Sequence, residues 1–509
     1  MCMISACRYN NDMQILPEKL YSAQSVAQID RNAIKDHDIP GYTLMRRAGQ
    51  AVFDFIEKKF MTPATLLIVC GAGNNAGDGY VMARIADQRG WKVKVVSLID
   101  ISLLKGDAAL ACEHWRECGE ILEADITLLE GVDVVVDAIL GTGLTREVSE
   151  QWQLWINAIS ASDNYIVSID LPSGLNPNTG SIMGAAIVAD ATVCFIGLKL
   201  GMFTASGKAC CGEIIFDDLS LPEVLYDSVP ESALLLNMQT CKTLSPRRHD
   251  THKGHNGHVL VIGGNDGMPG AVILVAKAAL RTGAGLVSVV TKHEHVTSVA
   301  TVCPEVMVLG SRNGDIPESL INKASCIVIG PGLGLDAWAQ RLLYQTHNSS
   351  VPLVLDADAL NLLADGQGDI FQMMHSDHRA TCIITPHPGE AARLLSCSVN
   401  DIQNDRFAAT KKLYEKTGAI IVLKGSGTTV FDGMTMRVCP YGNASMSVAG
   451  MGDALTGIIS ACIAQGLSIN EAAATGVFYH ALAGDLVAGE HTRGVLTSDM
   501  IEKIPQVVN

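Results

Sequence analysis

Positive charge is scarce in this chain. Of 509 residues, 37 are Lys or Arg and 53 are Asp or Glu, a formal net charge of −16 at pH 7. Such a surface repels phosphate backbones and anionic membranes, and R-R-H at Arg247 is too short a basic patch to reverse that, so no nucleic-acid or membrane partner is expected. Long apolar runs are missing as well: A-V-I-L-V-A-K-A-A-L carries a lysine and ends well short of the roughly 20 residues that cross a bilayer. The amino terminus, M-C-M-I-S-A-C-R-Y-N-N-D, breaks off before an apolar stretch of secretory length can form. No two of the 15 cysteines are spaced C-x-x-C, and Cys210 and Cys211 are adjacent, which resembles neither a zinc ribbon nor a disulfide framework. There is no short tandem repeat and no low-complexity tract. A soluble, cytoplasmic protein is the expectation, with the oligomeric state, a homo-oligomer included, left open.

What is present is apolar sequence in short blocks. With 48% hydrophobic and 18% charged residues, the composition fits α/β domains with largely buried sheets. Strand-like runs T-L-L-I-V-C, W-K-V-K-V-V-S-L-I, V-D-V-V-V-D-A, Y-I-V-S-I-D and A-T-V-C-F-I alternate with helix-length segments, the βαβ rhythm of a parallel sheet. The segment from Ser22 to Phe60, broken at Pro40-Gly41, reads as two helices that precede the sheet, with Val26, Ile29 and Ile34 at roughly helical spacing. The rhythm lapses from Asp217 to Gly254 and restarts at G-H-V-L-V-I-G-G. This predicts two α/β domains, residues 1–225 and 235–509.

Open parallel sheets bind ligands beyond the carboxyl ends of their strands. Three such ends in the first half carry G-A-G-N-N-A-G-D-G, D-A-I-L-G-T-G-L and D-L-P-S-G-L. The first satisfies the loose dinucleotide pattern through Gly71, Gly73 and Ala76, a weak signal alone, yet a bare tight turn accounts for neither the paired asparagines nor the aspartate. The oxygens of Asn75, Asp137 and Ser173 suit a hard cation, and the low charge of the set favours a monovalent one.

In this order the three motifs resemble the YjeF N-terminal domain, the NAD(P)H-hydrate epimerase family. The resemblance implies a Rossmann-like three-layer sandwich that binds the hydrated dinucleotides NADHX and NADPHX and uses potassium. It implies that Asn74, Asn75, Ala76, Gly77, Asp78, Gly141, Thr142, Gly143, Leu144, Thr145, Arg146 and Glu147 line the substrate, that Asp170 contacts it with a catalytic role, and that Asn75, Asp137 and Ser173 hold the ion. The family's usual pattern has glycine where Ala76 stands, a methyl that an α-region residue tolerates.

In the second half, S-V-A-G-M-G-D-A-L-T-G places two glycines and Asp453 at a helix start, where free amides form an anion hole and a carboxylate stands ready as a base. It resembles the G-x-G-D signature of ribokinase-like enzymes. With H-K-G-H-N-G-H, G-P-G-L-G, D-A-D-A-L-N, T-P-H-P-G-E and L-K-G-S-G-T-T, the set is similar to the YjeF C-terminal domain, the ADP-dependent NAD(P)H-hydrate dehydratase family. That resemblance implies a ribokinase-like α/β fold, ADP with magnesium as phosphoryl donor, Asp453 as catalytic base, and Ala271, Gly334, His387 and Asp453 against the substrate. Lys424, Gly425, Ser426, Gly427, Thr428 and Gly452 would bind the nucleotide.

Two other features are set aside. His249, His252, His255 and His258 recur every third residue, but Gly254 and Gly257 would break a metal-binding helix. G-M-F-T-A-S-G-K-A has one residue too many between its glycines for a P-loop, and Ala209 where Ser or Thr is needed. The sequence is therefore read as a bifunctional nicotinamide-nucleotide repair enzyme, an epimerase joined to a dehydratase that yields AMP and phosphate. The alternative is a ribokinase-like small-molecule kinase fused to a non-catalytic nucleotide-, protein- or RNA-binding domain.

Overall fold

In the computed structural model, residues 16–346, 349–365 and 381–509 are described. The chain divides between Ala233 and Leu234 into two compact units, so the first continues past the expected end at 225. The reason is packing: Val229, like Leu219, Leu221 and Leu225 before it, is buried in the core of the first unit. Among the described residues no helix is long and apolar enough to cross a membrane.

The first unit is a seven-stranded, wholly parallel sheet. Its order is Ile121–Leu122, Lys92–Ser97, Thr65–Cys70, Val134–Ala138, Tyr165–Ile169, Ala191–Phe195 and Glu213–Asp217. Along Thr65–Cys70 the side chains alternate between two cores: Leu66, Ile68 and Cys70 face one, Leu67 and Val69 the other. A period of two with both phases apolar is what a sheet covered on both faces requires, and it makes the unit three-layered. One layer contains the helices Ala23–Asp36 and Gly41–Phe60, split at Pro40 as the sequence predicts. Ser22 caps the first by accepting from the Ser25 amide. Val26 and Ile29 are buried there, but Ala33, not Ile34, completes the stripe, because Ile34 has turned outward.

In the second unit, seven parallel strands run in the order Met307–Ser311, Leu286–Lys292, His258–Ile262, Cys326–Ile329, Leu353–Leu355, Cys382–Ile384 and Ile420–Leu423. The antiparallel strands Thr429–Phe431 and Met436–Val438 extend the sheet, and Leu234 and Leu235 pair in parallel with Arg437 and Val438. The sequence reading missed Met307–Ser311 and the antiparallel hairpin: M-V-L-G-S is short and mostly half-exposed, and strands of three residues give no measurable periodicity.

The helix Met451–Ala464 is buried almost throughout and packs on the helix Pro269–Thr282. Their close approach depends on Gly457, where a Cβ would stand 2.4 Å from the Val275 carbonyl oxygen. Gly457→Ala should therefore cost about 1–3 kcal/mol. The check is a lower denaturant midpoint with an unchanged slope.

The features set aside above have structural counterparts. Lys253–Asn256 is a single 3-10 turn, and His258 lies in a strand with its ring bonded to Ser288, so the four histidines share no helix face. In the 201–209 segment a Cβ on Gly207 would fall 1.9 Å from the Gly201 carbonyl oxygen, so the turn is closed on itself and cradles nothing.

Candidate functional sites

In each unit the sheet order reverses direction at one point, between Thr65–Cys70 and Val134–Ala138 in the first and between His258–Ile262 and Cys326–Ile329 in the second. Ligand crevices of open α/β sheets form there. The G-A-G-N-N and G-P-G-L-G turns open at these strand ends.

At the first, the Gly71 amide donates to the Ala138 carbonyl, and a Cβ on Gly71 would lie 2.0 Å from the Ile139 oxygen, so only glycine lets the two loops close. Gly73, at φ +85°, begins the helix Asn74–Gln88, and a Cβ there would meet nothing within 4 Å. The helix thus presents its first-turn amides to open space, with Asn74 exposed and Ala76 and Gly77 buried. The Ala76 methyl is accommodated because the residue is helical, as expected.

Asp137 and Ser173 are hydrogen-bonded to each other, and Asn75 reaches the carbonyl that ends the neighbouring strand. Asp137 is fully buried and accepts from Ser173 Oγ at 2.5 Å, Ser173 N at 2.8 Å, Ser168 Oγ at 2.8 Å and Ile139 N at 3.2 Å. Burial raises its pKa against the opposing pull of those hydrogen bonds. Asn75 donates to the Ile169 carbonyl at 2.7 Å, while its Oδ1 is buried without a partner. Among the described residues no cationic side chain contacts Asp137, and such a carboxylate together with an open buried amide oxygen fits a cation bound through oxygen. Gly141 closes over Asn75, its Cβ position 3.2 Å from Asn75 Nδ2. Thr142 and Leu144 are half-buried, and Gly143, Thr145, Arg146 and Glu147 are exposed on the loop beyond.

Asp170 follows the next strand in the left-handed region, at φ +67°. Its Oδ1 accepts from Phe195 N at 3.2 Å and is ion-paired with Lys199. Burial, the Asp170 carboxylate and the Asp30 carboxylate together push Asp78 well above the usual range, with Lys199 opposing them. Asp30, on the helix Ala23–Asp36, is itself raised by burial and by Asp170. Neither Asp30 nor Lys199 was anticipated. A helical aspartate and a lysine in a short strand carry no local sign of their shared location, and the default for both residue types is solvent.

In the second unit Gly263 and Pro331 meet as Gly71 and Ile139 do, a Cβ on Gly263 lying 2.1 Å from the Pro331 oxygen. Asn265 bridges the loops, donating from its backbone amide to Gly332 O at 2.7 Å and from Nδ2 to Leu333 O at 2.8 Å. Gly334, at φ +73°, is held by Asp358 Oδ2 at 2.8 Å, and Ala271 sits against Gly332, so Ala271 and Gly334 line one turn.

The helix Met451–Ala464 starts from Gly450 at φ +88°, with Gly452 and Asp453 in its first turn. Burial and the Asp356, Asp358 and Glu390 carboxylates push the half-buried Asp453 up to about 7, against Lys424. Lys424 Nζ lies 2.6 Å from Asp356 Oδ1 and 3.9 Å from Glu390 Oε2, and a Cβ on Gly452 would come within 3.1 Å of it. The ammonium therefore sits under the first turn of the helix, next to the anion hole, while Gly425 and Ser426 form the exposed turn beyond, with Gly427 buried and Thr428 half-buried. Asp356 is buried, and burial would raise it, yet the Lys424 charge and hydrogen bond hold it below its usual range. Burial drives Glu390 up to about 7.

His387 caps the helix Pro388–Leu395: its Nδ1 accepts from the Gly389 and Glu390 amides, and the Glu390 carboxylate accepts from the His387 amide at 2.7 Å. Burial, Lys424 and Arg393 lower its pKa, and its other ring nitrogen, Nε2, lies 3.4 Å from Glu390 Oε1. Arg406 was also unforeseen. It is buried and donates to the Leu423 and Lys424 carbonyls at 3.0 and 3.1 Å, fixing the start of the Lys424–Thr428 turn.

Two parallel-sheet units, each with an acidic, glycine-lined site at a helix N-terminus, define a two-site α/β enzyme. Comparison with known proteins names the family. Residues 259–506 match the family model described as NAD(P)H-hydrate dehydratase, and residues 41–201 match that of the YjeF-related protein N-terminus. The chain is 42% identical over 494 residues to a bifunctional NAD(P)H-hydrate repair enzyme of Coxiella burnetii, spanning 96% of this chain and 99% of that protein. It is 39% identical over 497 residues to the enzyme of that name from Escherichia coli, spanning 97% and 95%. Among solved structures it is similar to the ADP/ATP-dependent NAD(P)H-hydrate dehydratase of Bacillus subtilis co-crystallized with ATP/Mg2+, at 27% identity and a TM-score of 0.46 over 52% of this chain and 93% of that one. The chain belongs to the bifunctional NAD(P)H-hydrate repair enzymes.

Proposed function

We propose that the first unit interconverts the R and S epimers of NADHX and NADPHX and that the second dehydrates the S epimer at the expense of ADP. The observation that carries the second half is Asp453: a half-buried carboxyl with a pKa near 7, in a glycine-opened helix turn, with the Lys424 ammonium alongside. Asp453 takes the proton of the ring hydroxyl, whose oxygen then attacks the terminal phosphorus of ADP and releases AMP. The first-turn amides and Lys424 stabilise the charge on the transferring phosphoryl group. The C–O bond then breaks with its electron pair leaving on phosphate, and loss of a proton from the neighbouring ring carbon restores the reduced nicotinamide. Magnesium would accompany the nucleotide phosphates, with the Glu390 carboxylate as an oxygen donor of the type it takes.

In the first unit Asn75, Asp137 and Ser173 would hold potassium, which supplies a fixed positive charge beside the dinucleotide. Asn74 to Asp78 and Gly141 to Glu147 would line the substrate, with the Asp170 carboxylate against it. The protein is proposed to work in the cytoplasm on these small molecules. The test is to incubate the mixed epimers with ADP and follow the absorbance of the reduced ring. Repair of both epimers is expected, whereas a stable phosphorylated product with no reduced cofactor would point to the kinase alternative.

A pH dependence follows from Asp453. Because its pKa is raised and the base must be ionised, kcat/KM for dehydration should fall as pH drops through about 7, approaching tenfold per unit below it. A profile flat down to pH 5 would remove Asp453 from the role of base.

A further inference from the structure

We propose that Lys199 is the positioning residue of the epimerase site, fixing Asp170 so that one carboxylate oxygen faces the substrate. The proposal rests on the epimerase reading of the first unit. Lys199 lies in the two-residue strand Leu198–Lys199, which pairs with Leu20 and Tyr21, and its side chain is completely buried. An ammonium taken wholly out of water is costly unless every proton is matched. Here the three protons have three acceptors: Asp170 Oδ1, the Phe195 carbonyl at 3.0 Å and Cys194 Sγ at 3.3 Å.

These contacts act on one side of Asp170. Lys199 and the Phe195 amide both hold Oδ1, and the Asp170 amide donates to the Val193 carbonyl at 2.7 Å, which supports the left-handed backbone that a non-glycine residue adopts at a cost. Oδ2 carries no hydrogen bond among the described residues, and the side chain is 18% exposed. The result is a carboxylate with one oxygen tied into the sheet and the other left available on a partly exposed side chain. A buried pair that served stability alone would be replaceable by apolar residues of similar size, whereas a positioning pair is not.

The test uses the full chain and purified R epimer in potassium-containing buffer. Lys199→Met should lower kcat for epimerisation on the order of 10²-fold with KM little changed, as expected for a misplaced reacting group. Dehydration of the S epimer should stay at the wild-type rate. The double variant Lys199→Met, Asp170→Asn should be no slower than Asp170→Asn alone, because Lys199 acts only through Asp170. Lys199→Gln keeps a donor of similar reach without the charge. It should retain more activity than Lys199→Met while staying below the wild type in kcat, with KM little changed, and it takes the place of Lys199→Met if that variant does not fold. A wild-type kcat in Lys199→Gln would overturn the proposal, as would losses that multiply in the double variant. An inability of the wild-type chain to epimerise the R form would instead overturn the epimerase reading itself.

Discussion

Asp453→Asn is expected to abolish dehydration while epimerisation continues at the wild-type rate. The amide is nearly the same shape as the carboxyl but cannot take the hydroxyl proton, and loss of a general base costs about 10²- to 10⁴-fold. The change should leave the fold intact, because the side chain is half-buried and neutral replacement removes a charge that burial and three neighbouring carboxylates already disfavour. Stability at neutral pH should hold or rise slightly: a group whose folded pKa is raised destabilises the folded state once pH exceeds its unfolded pKa, near 4. Epimerisation is unaffected because the other site is built from residues of the other unit. If the variant dehydrated the S epimer at the wild-type rate, Asp453 would not be the base.

The second large effect concerns the cation. Exhaustive removal of monovalent metal ions should bring epimerisation to background and leave this step restorable by potassium, with sodium a poor substitute if the cage is sized for the larger ion. Asn75→Ala removes the open buried oxygen and also the donor to the Ile169 carbonyl, so half-maximal epimerisation should need about 10- to 100-fold more potassium. Epimerase rates measured across a potassium titration for both proteins decide this. A rate indifferent to potassium would assign the buried Asn75 oxygen to some other ligand.

Much of both sites was legible because strand ends can be read. Asn75, Asp137, Asp170 and Ser173 stand just after apolar runs, and the sheet order brings those strand ends together. The same rule could have flagged Asp356, which follows L-V-L directly, and the H-P-G-E spacing could have marked Glu390 as the capping partner of His387. Lys199, Asp30 and Arg406 were out of reach, since their roles depend on burial imposed by distant segments. Arg406 serves the Lys424 turn from a helix that precedes it by 18 positions in the chain. Lys424 shows what a motif leaves out: the sequence marks the turn, while the ion pair of its side chain with Asp356 and its place against Gly452 depend on segments distant in the chain. The compact unit runs past the last clear strand for a similar reason, because Val229 joins a core whose other members lie far back in the sequence.

The central claim is that one chain carries two separable activities in series on one substrate. The direct measurement is the extent of repair of an equimolar mixture of R and S epimers, followed by absorbance of the reduced ring with excess ADP, for three proteins: the wild type, Asp137→Asn and Asp453→Asn. The wild type should convert the whole mixture. Asp137→Asn should convert the S half quickly and the R half no faster than the uncatalysed interconversion, Asp453→Asn should convert neither, and mixing the two variants should restore full conversion. Rapid and complete repair by Asp137→Asn alone, or no recovery on mixing, would contradict the division of labour between the two units.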